Sequence, residues 1–408
     1  MNLSGTPSEP LLLLQTKLYA PKPTRHLVQR PQLFEHLNRG LGRKLTLVTA
    51  PAGYGKTTLV CQWLALRVPA LSQTTDGSVE WPEQRRRFAT APVAWVSLDE
   101  YDNDLHLFVR YLVAAIQTVW PDSCANALTV LQNPQMAPEG YLANILVNDL
   151  CALPAALILV LDDYHFVKEE RIHQFLNRLL DHLPTSVHLV MISRTEPPLS
   201  LPQLRVRRQL NELRVADLCF SSAETEQYLI QTTGRTFAPE TVAVLQGGNE
   251  GWIAGLYLAT LSLADDTSEQ ALVRHVQAGN VNILDYLFTE VLAKQPAAVQ
   301  DFLLRTAILN RFSAPLCEAL LDPAWVAGVG QNAQLAHTVG VSQRPVWSII
   351  EWLARHHLFL IALDDTGEWY RYHHLFQLML TQICKNALMR TRLPPCIVKR
   401  PDGLHRRG

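Results

Sequence analysis

Residues 45–58 read Leu45-Thr-Leu-Val-Thr-Ala-Pro-Ala-Gly-Tyr-Gly-Lys-Thr-Thr58, and this stretch decides the fold. Leu45 to Ala50 is an apolar run rich in branched side chains, as expected of a strand buried on both faces. Ala50-Pro-Ala-Gly-Tyr-Gly-Lys-Thr-Thr58 follows with the spacing of GxxxxGK[ST], and a helical pattern continues from Thr57 to about Leu66. Strand, glycine-rich turn and helix in that order form a phosphate cradle, here Pro51, Ala52, Gly53, Tyr54, Gly55, Lys56, Thr57 and Thr58. Gly53 and Gly55 let the backbone curl so that successive N–H groups face the β- and γ-phosphates. The positive end of the helix adds to that field. Lys56 brings a point charge to the phosphates, and Thr57 offers a hydroxyl to Mg²⁺. Alanine stands at position 50 where the motif usually has its first glycine, a replacement that leaves the motif intact.

Outward from this stretch, Leu157-Ile-Leu-Val-Leu161 is a second fully apolar strand, and it ends in Asp162-Asp163. An acidic pair closing a buried strand downstream of a P-loop fits a Walker B site. Asp162 would hold Mg²⁺ through a water, and Asp163 would polarise the attacking water. Read alone, the same pair also fits an acidic cap between strand and helix. Val187–Ile192 is a further strand running into Ser193-Arg194, and Arg194 is either a γ-phosphate sensor or a solvated loop arginine. Arg205, Arg207 and Arg208 read as a surface cluster.

Val93–Ser97 adds a strand, and a fifth is expected near Leu213 to Phe220. Helical periods at Gln32–Arg39, Leu107–Val119 and Ile172–Leu183 alternate with these strands. That alternation predicts a parallel α/β sheet with right-handed crossovers. Residues 67–91 read as a loop.

Beyond Ser221 the periodicity turns helical, at Ala223–Thr232, Glu240–Leu245, Ile253–Leu263, Ile283–Leu292 and Ala298–Thr306. Residues 322–344 read as irregular. A helix follows at Pro345–His356. A hairpin then runs through Phe359–Leu363 and Trp369–Tyr372, and another helix starts at His374. Helices followed by a hairpin predict a winged helix. The expected division is a lead-in at 1–27, a P-loop ATPase domain at 28–220, a helical domain at 221–310, a winged helix at 311–388 and an irregular basic tail at 389–408, read as a truncation.

The chain has 408 residues and a net charge of −1, a balance that argues against a chain-wide grip on nucleic acid or an anionic membrane. Its seven scattered cysteines form no CxxC pair, so neither a disulfide scaffold nor a zinc site is expected. With no leader peptide or membrane span in the sequence, a cytoplasmic protein is expected.

Several segments together resemble the STAND-class P-loop ATPases, in particular the MalT-like branch of the LuxR-family transcriptional regulators. They are Thr16-Lys-Leu-Tyr-Ala-Pro21, Val28-Gln-Arg-Pro31, the P-loop itself, Val93-Ala-Trp-Val-Ser-Leu-Asp-Glu100, the Leu-Asp-Asp-Tyr-His Walker B end, Ser193-Arg-Thr-Glu-Pro-Pro198, Gly251-Trp-Ile-Ala-Gly255 and Tyr370-Arg-Tyr-His-His-Leu-Phe376. The resemblance spans roughly residues 12–380. It implies a signal-transduction switch held closed by ADP and opened into oligomers by ATP plus an inducer, with slow hydrolysis as the reset. It places Val28 and Arg30 near adenine and ribose, and His373 at the ADP β-phosphate. Such proteins continue into an inducer-sensing superhelix and a helix-turn-helix DNA-binding domain, which this chain is expected to lack, so DNA contact would run through a domain outside it. Two rivals stay open: a nucleotide-binding interaction fragment without signalling output, and a metabolic P-loop kinase or ATPase.

Overall fold

The structure is a computed structural model that describes residues 13–22, 27–72, 86–132, 137–261, 273, 281–326, 345–356, 358–364 and 368–390. The chain packs as two units, residues 1–261 with 354–358, and residues 262–353 with 359–408.

In the first unit, helix α1 (Pro31–Gly40) leads into strand β1 (Leu45–Thr49) and helix α2 (Lys56–Ser72). Strand β2 (Val93–Ser97) precedes helices α3 (Leu105–Gln117), α4 (Ala125–Leu131) and α5 (Glu139–Cys151). Then come β3 (Leu157–Asp162), α6 (Glu170–His182), β4 (Val187–Ser193), α7 (Leu201–Val206) and β5 (Leu210–Leu213). Every strand pairing in this sheet is parallel, in the order β2-β3-β4-β1-β5. β4 therefore lies between the P-loop strand β1 and the Walker B strand β3.

β1, β3 and β4 are buried at every position, which is why they read as largely apolar runs. Successive side chains alternate across the sheet. Leu157, Leu159 and Leu161 join Phe108, Leu112, Leu146 and Phe175 in one core, the helical layer over that face. The polar side chain within β4, His188, is fully buried and satisfied at both ring nitrogens, by Thr46 Oγ1 at 2.9 Å and the Arg43 carbonyl at 2.8 Å.

The fifth strand differs from the expected position. β5 starts at Leu210, in register with Leu45, and ends at Leu213. The following residues turn into the short helix α8 (Val215–Leu218), because the Asp217 carboxylate accepts the Arg214 N–H at 2.8 Å and pulls the backbone out of the sheet. The expected loop at 67–91 also begins later, since α2 runs to Ser72; residues 73–85 lie outside the described residues.

Three helices complete the first unit: α9 (Ser222–Thr233), α10 (Pro239–Asn249) and α11 (Ile253–Leu261). α9 starts at a reciprocal cap in which Ser221 Oγ accepts the Glu224 N–H and the Glu224 carboxylate accepts the Ser221 N–H.

Among its described residues the second unit is helical with one small hairpin. α12 (Val281–Tyr286) continues as a π-helical segment over Leu287–Leu292, followed by α13 (Ala297–Thr306), α14 (Ala314–Leu320) and α15 (Pro345–Arg355). Antiparallel strands β6 (Leu360–Ala362) and β7 (Tyr370–Tyr372) form the wing, and α16 (His374–Arg390) follows. Phe312 anchors the wing through a two-way backbone bridge to Tyr370 and a ring contact with Tyr372, whose hydroxyl meets Thr306 Oγ1 at 2.7 Å. Residues 327–344 and 391–408, which include most of the expected irregular segment and the expected tail, lie outside the described residues. Among the described residues no helix is long and apolar enough to cross a membrane.

The lead-in is fastened by charge. Lys17 donates to both Asp102 carboxylate oxygens, at 2.9 and 2.7 Å, and lies 2.7 Å from Asp99 Oδ2. Asp102 is 1% exposed, so removing the lysine strands a buried carboxylate. Lys17→Met is expected to lower unfolding free energy by about 3 kcal/mol in urea titrations. A loss below about 1 kcal/mol would show that the pair behaves as a solvated surface bridge.

Candidate functional site

β1 has strand neighbours on both sides, so its ladder ends only where the chain leaves the sheet at Ala50, whose N–H still reaches the Ser193 carbonyl at 3.4 Å. The turn that follows needs left-handed backbone at two points, and Gly53 (φ 81°) and Gly55 (φ 72°) supply it. α2 starts at Lys56, so the P-loop amides and the helix N-terminus converge on one spot.

Lys56 is 7% exposed and donates to the Pro51 carbonyl at 2.8 Å. Burial lowers its pKa to about 8, helped by the positive field of Arg194 and opposed by Asp163 and Asp162. Ser193 pairs with Thr49 of β1, so Arg194, one residue past the end of β4, follows beside the start of the P-loop. Thr57 Oγ1 donates to Asp162 Oδ1 at 3.0 Å, so the two expected Mg²⁺ ligands meet although β4 separates their strands. Asp162 Oδ1 also accepts the Asp163 N–H at 3.0 Å. Burial, then the neighbouring Asp163 charge, pushes the Asp162 carboxyl up to about 6. Asp163 adopts left-handed backbone (φ 54°) at the strand end, with its side chain 40% exposed.

Among the described residues no cluster of three or more acidic, histidine or cysteine side chains could hold a metal by itself. A hydroxyl and one buried carboxylate suit a cation that keeps most of its ligands from water and phosphate, which is the habit of Mg²⁺. The residues present therefore fit that ion.

Other expected site residues have been given places of their own. Val28 is buried, and its carbonyl accepts from Gln62 of α2 at 3.3 Å. The Arg30 guanidinium donates to the Leu218 and Cys219 carbonyls, each at 2.9 Å, and to Glu224 at 2.6 Å, with its plane over the Phe220 ring. Tyr54 is buried, which raises its phenol pKa, and Thr58 is exposed on α2. His373 belongs to the second unit, where it is 1% exposed, stands edge-on to Phe359 and accepts the Leu375 N–H on Nδ1 at 3.3 Å. Of the basic cluster, Arg205 pairs with Glu212 and Glu196, and Arg207 with Asp181.

Sequence reasoning assigned no place at the P-loop to Trp252 or Ala254. The Trp252 indole N–H donates to the Ala52 carbonyl at 3.0 Å, and the Ala254 N–H donates to the Gly53 carbonyl at 3.1 Å. The available signal was the segment Gly251-Trp-Ile-Ala-Gly255, conspicuous as a motif but silent about its partner.

A family model of the MalT winged helix domain matches residues 288–391. The chain is 34% identical over 385 residues to the HTH-type transcriptional regulator MalT of Cronobacter sakazakii, a match covering 94% of this chain and 38% of that protein. It is 32% identical over 376 residues to the regulator of the same name in Yersinia enterocolitica, covering 92% of this chain and 37% of that protein. The chain is thus similar to MalT regulators over most of its own length. It spans well under half the length of the curated relatives it matches. Among solved structures, a Walker-type ATPase of Pyrococcus abyssi matches with a TM-score of 0.54 over 88% of this chain and 98% of its own, at 11% identity, a likeness of fold. The first unit thus has a P-loop ATPase fold, and residues 288–391 match the winged helix.

The Asp162 carboxyl has a testable cost. Its folded-state pKa of about 6 exceeds the ordinary 3.8, so the folded chain holds this proton more tightly than the unfolded one. Its contribution to stability is fully present below about pH 3.8 and is lost as pH rises through about 6. Asp162→Asn keeps an acceptor for Thr57 and Asp163 and removes the charge. It is expected to stabilise the metal-free protein at pH 8 by on the order of 1–3 kcal/mol, a gain that shrinks toward pH 5. Thermal melts across that range check it; an equal effect at both pH values would assign the change to packing.

Proposed function

We propose that this chain is an ATP/ADP-dependent signal-transduction switch of a MalT-like transcriptional regulator, working in the cytoplasm. The observation that carries the reading is the convergence of Lys56, the Thr57–Asp162 pair and Arg194 at the carboxyl edge of three adjacent strands. Four groups with complementary roles toward a nucleoside triphosphate are held there by buried strands.

The roles follow from chemistry. Backbone N–H groups of the Pro51–Thr58 loop receive the β- and γ-phosphates, and Lys56 neutralises charge between them. Thr57 would hold Mg²⁺ directly and Asp162 through a water, and the ion would supply positive charge to offset that of the phosphates. Asp163, exposed at the strand end, orients a water for slow hydrolysis. Arg194 senses the γ-phosphate, since a cation beside Lys56 gains most when extra negative charge arrives. Val28 and Arg30 border the base and ribose. ATP favours self-association, under an inducer or regulatory protein of unknown identity. DNA recognition belongs to the helix-turn-helix region of such regulators.

The test is nucleotide content and exchange on purified protein. Denatured wild-type protein is expected to release ADP, and Lys56→Ala to release none and to bind ATP at least about tenfold more weakly, the loss of a charge-assisted contact. Nucleotide-free Lys56→Ala should melt no lower than wild type, because the ammonium is buried at a cost. A folded wild-type protein with neither bound nucleotide nor affinity for ATP would end this reading.

A further inference from the structure

The turn at Gly251–Gly255 lies against the P-loop within the first unit. Trp252 is fully buried there. Its indole N–H and the Ala254 N–H take up two consecutive P-loop carbonyls, those of Ala52 and Gly53, at 3.0 and 3.1 Å. A Cβ built on Gly53 would stand 2.5 Å from the Trp252 ring nitrogen and 2.6 Å from the Ala254 Cβ. Gly53 is therefore required twice, for its positive φ and for this close approach.

A trans peptide unit is planar, with its carbonyl and its N–H on opposite sides. Fixing the Ala52 carbonyl toward Trp252 points the Gly53 N–H away from the turn. Fixing the Gly53 carbonyl toward Ala254 does the same for the Tyr54 N–H. Two amide donors of the cradle are thus aimed from outside the cradle.

The turn is also tied onward. The Gly251 carbonyl accepts the Phe220 N–H at 2.9 Å, and Phe220 is the residue under the Arg30 guanidinium, which itself holds the carbonyls of Leu218 and Cys219. A connected path of backbone bonds and one stacked cation leads from the P-loop to the segment that opens α9.

We propose that Trp252 is a positioning residue: it sets the direction of the Gly53 and Tyr54 N–H donors and couples occupancy of the phosphate cradle to the packing of residues 218–261. The coupling to occupancy rests on the nucleotide reading above; the setting of the loop does not. A residue that only filled space would be replaced by phenylalanine without consequence for the P-loop amides, whereas a positioning residue would not.

The experiment is hydrogen exchange by mass spectrometry, with nucleotide titration, on Trp252→Phe and wild type. Phenylalanine keeps the ring in the core and deletes the indole donor. In nucleotide-free protein, exchange over residues 50–58 is expected to speed up severalfold in Trp252→Phe. ADP affinity is expected to fall by about fivefold, the value of one hydrogen bond. ADP should slow exchange over 250–261 in wild type and much less in the variant. Unchanged P-loop exchange in a folded Trp252→Phe protein would overturn the proposal. Were wild type to bind no nucleotide, the switch reading would fall and the coupling with it, while the nucleotide-free comparison would still decide whether Trp252 sets the loop. Should Trp252→Phe fail to fold, Gly53→Ala crowds the same contact from the other side. Exchange over 250–261 must then rise in nucleotide-free protein, and an unchanged rate there rejects the proposal.

Discussion

The site depends on β1 being an interior strand. Its residues Leu45–Val48 hydrogen-bond to β4 on one side and β5 on the other, so its backbone is committed along its whole length. The chain can become irregular only at Ala50. There it turns abruptly, with left-handed residues at 53 and 55, and re-enters regular structure at Lys56. Everything chemical in the first unit hangs on where that turn falls. β4 beside it delivers Ser193-Arg194, and β3 one strand further delivers Asp162. A one-residue slip of β1 would put Thr46 and Val48 on the wrong faces and carry Lys56 away from both.

The distribution of buried polar groups separates scaffold from site without reference to any relative. His188 is satisfied at both ring nitrogens, and burial takes its pKa down to about 4, so it stays neutral. Asp149 accepts from Asn126 and from the Ala127 N–H, and His173 meets the Tyr164 hydroxyl. These groups complete their bonds inside the protein. Lys56 and Asp162 differ: each is buried beside a like charge that adds to desolvation in disfavouring its charged form, Arg194 for the lysine and Asp163 for the aspartate. A fold retains such strain where a ligand relieves it. Phosphate beside Lys56 and a cation beside Asp162 would reverse both shifts.

Strands buried on both faces were legible because burial on two sides leaves no polar position to blur the pattern, as in Leu157-Ile-Leu-Val-Leu161. β5 was not, because Leu210-Asn-Glu-Leu213 carries two polar residues in four, while the more apolar stretch after it is bent away by Asp217. α4 and α5 also escaped notice. In α5 the buried apolar face is Leu142, Ala143, Leu146 and Leu150, but Tyr141, Ile145 and Val147 are apolar as well, so no single stripe stands out in the sequence. Lys56, Thr57 and Asp162 could be named from local motifs because each motif contains its own geometry. The Thr57–Asp162 contact is 105 residues long-range, yet both ends carry a signature. Arg30 and Trp252 carry none that names a partner. Their bonds to residues 188 and 200 positions away exist only once the chain is folded.

This difference bears on how a switch can be built into such a chain. The phosphate cradle is specified locally, so any chain with the motif and a buried strand can form one. What ties the cradle to the rest of the unit is non-local and consists of a few bonds onto backbone carbonyls: Ala52 and Gly53 held from the 251–255 turn, and Leu218 and Cys219 held by Arg30. Bonds to backbone constrain direction rather than side-chain identity, so they can break and re-form without repacking a core. A contact made of interdigitated side chains would be worth more but would have to be dismantled as a block. Between the sheet and α9–α11, the structure includes ties of this more reversible kind, at the Ala52 and Gly53 carbonyls and at the Leu218 and Cys219 carbonyls.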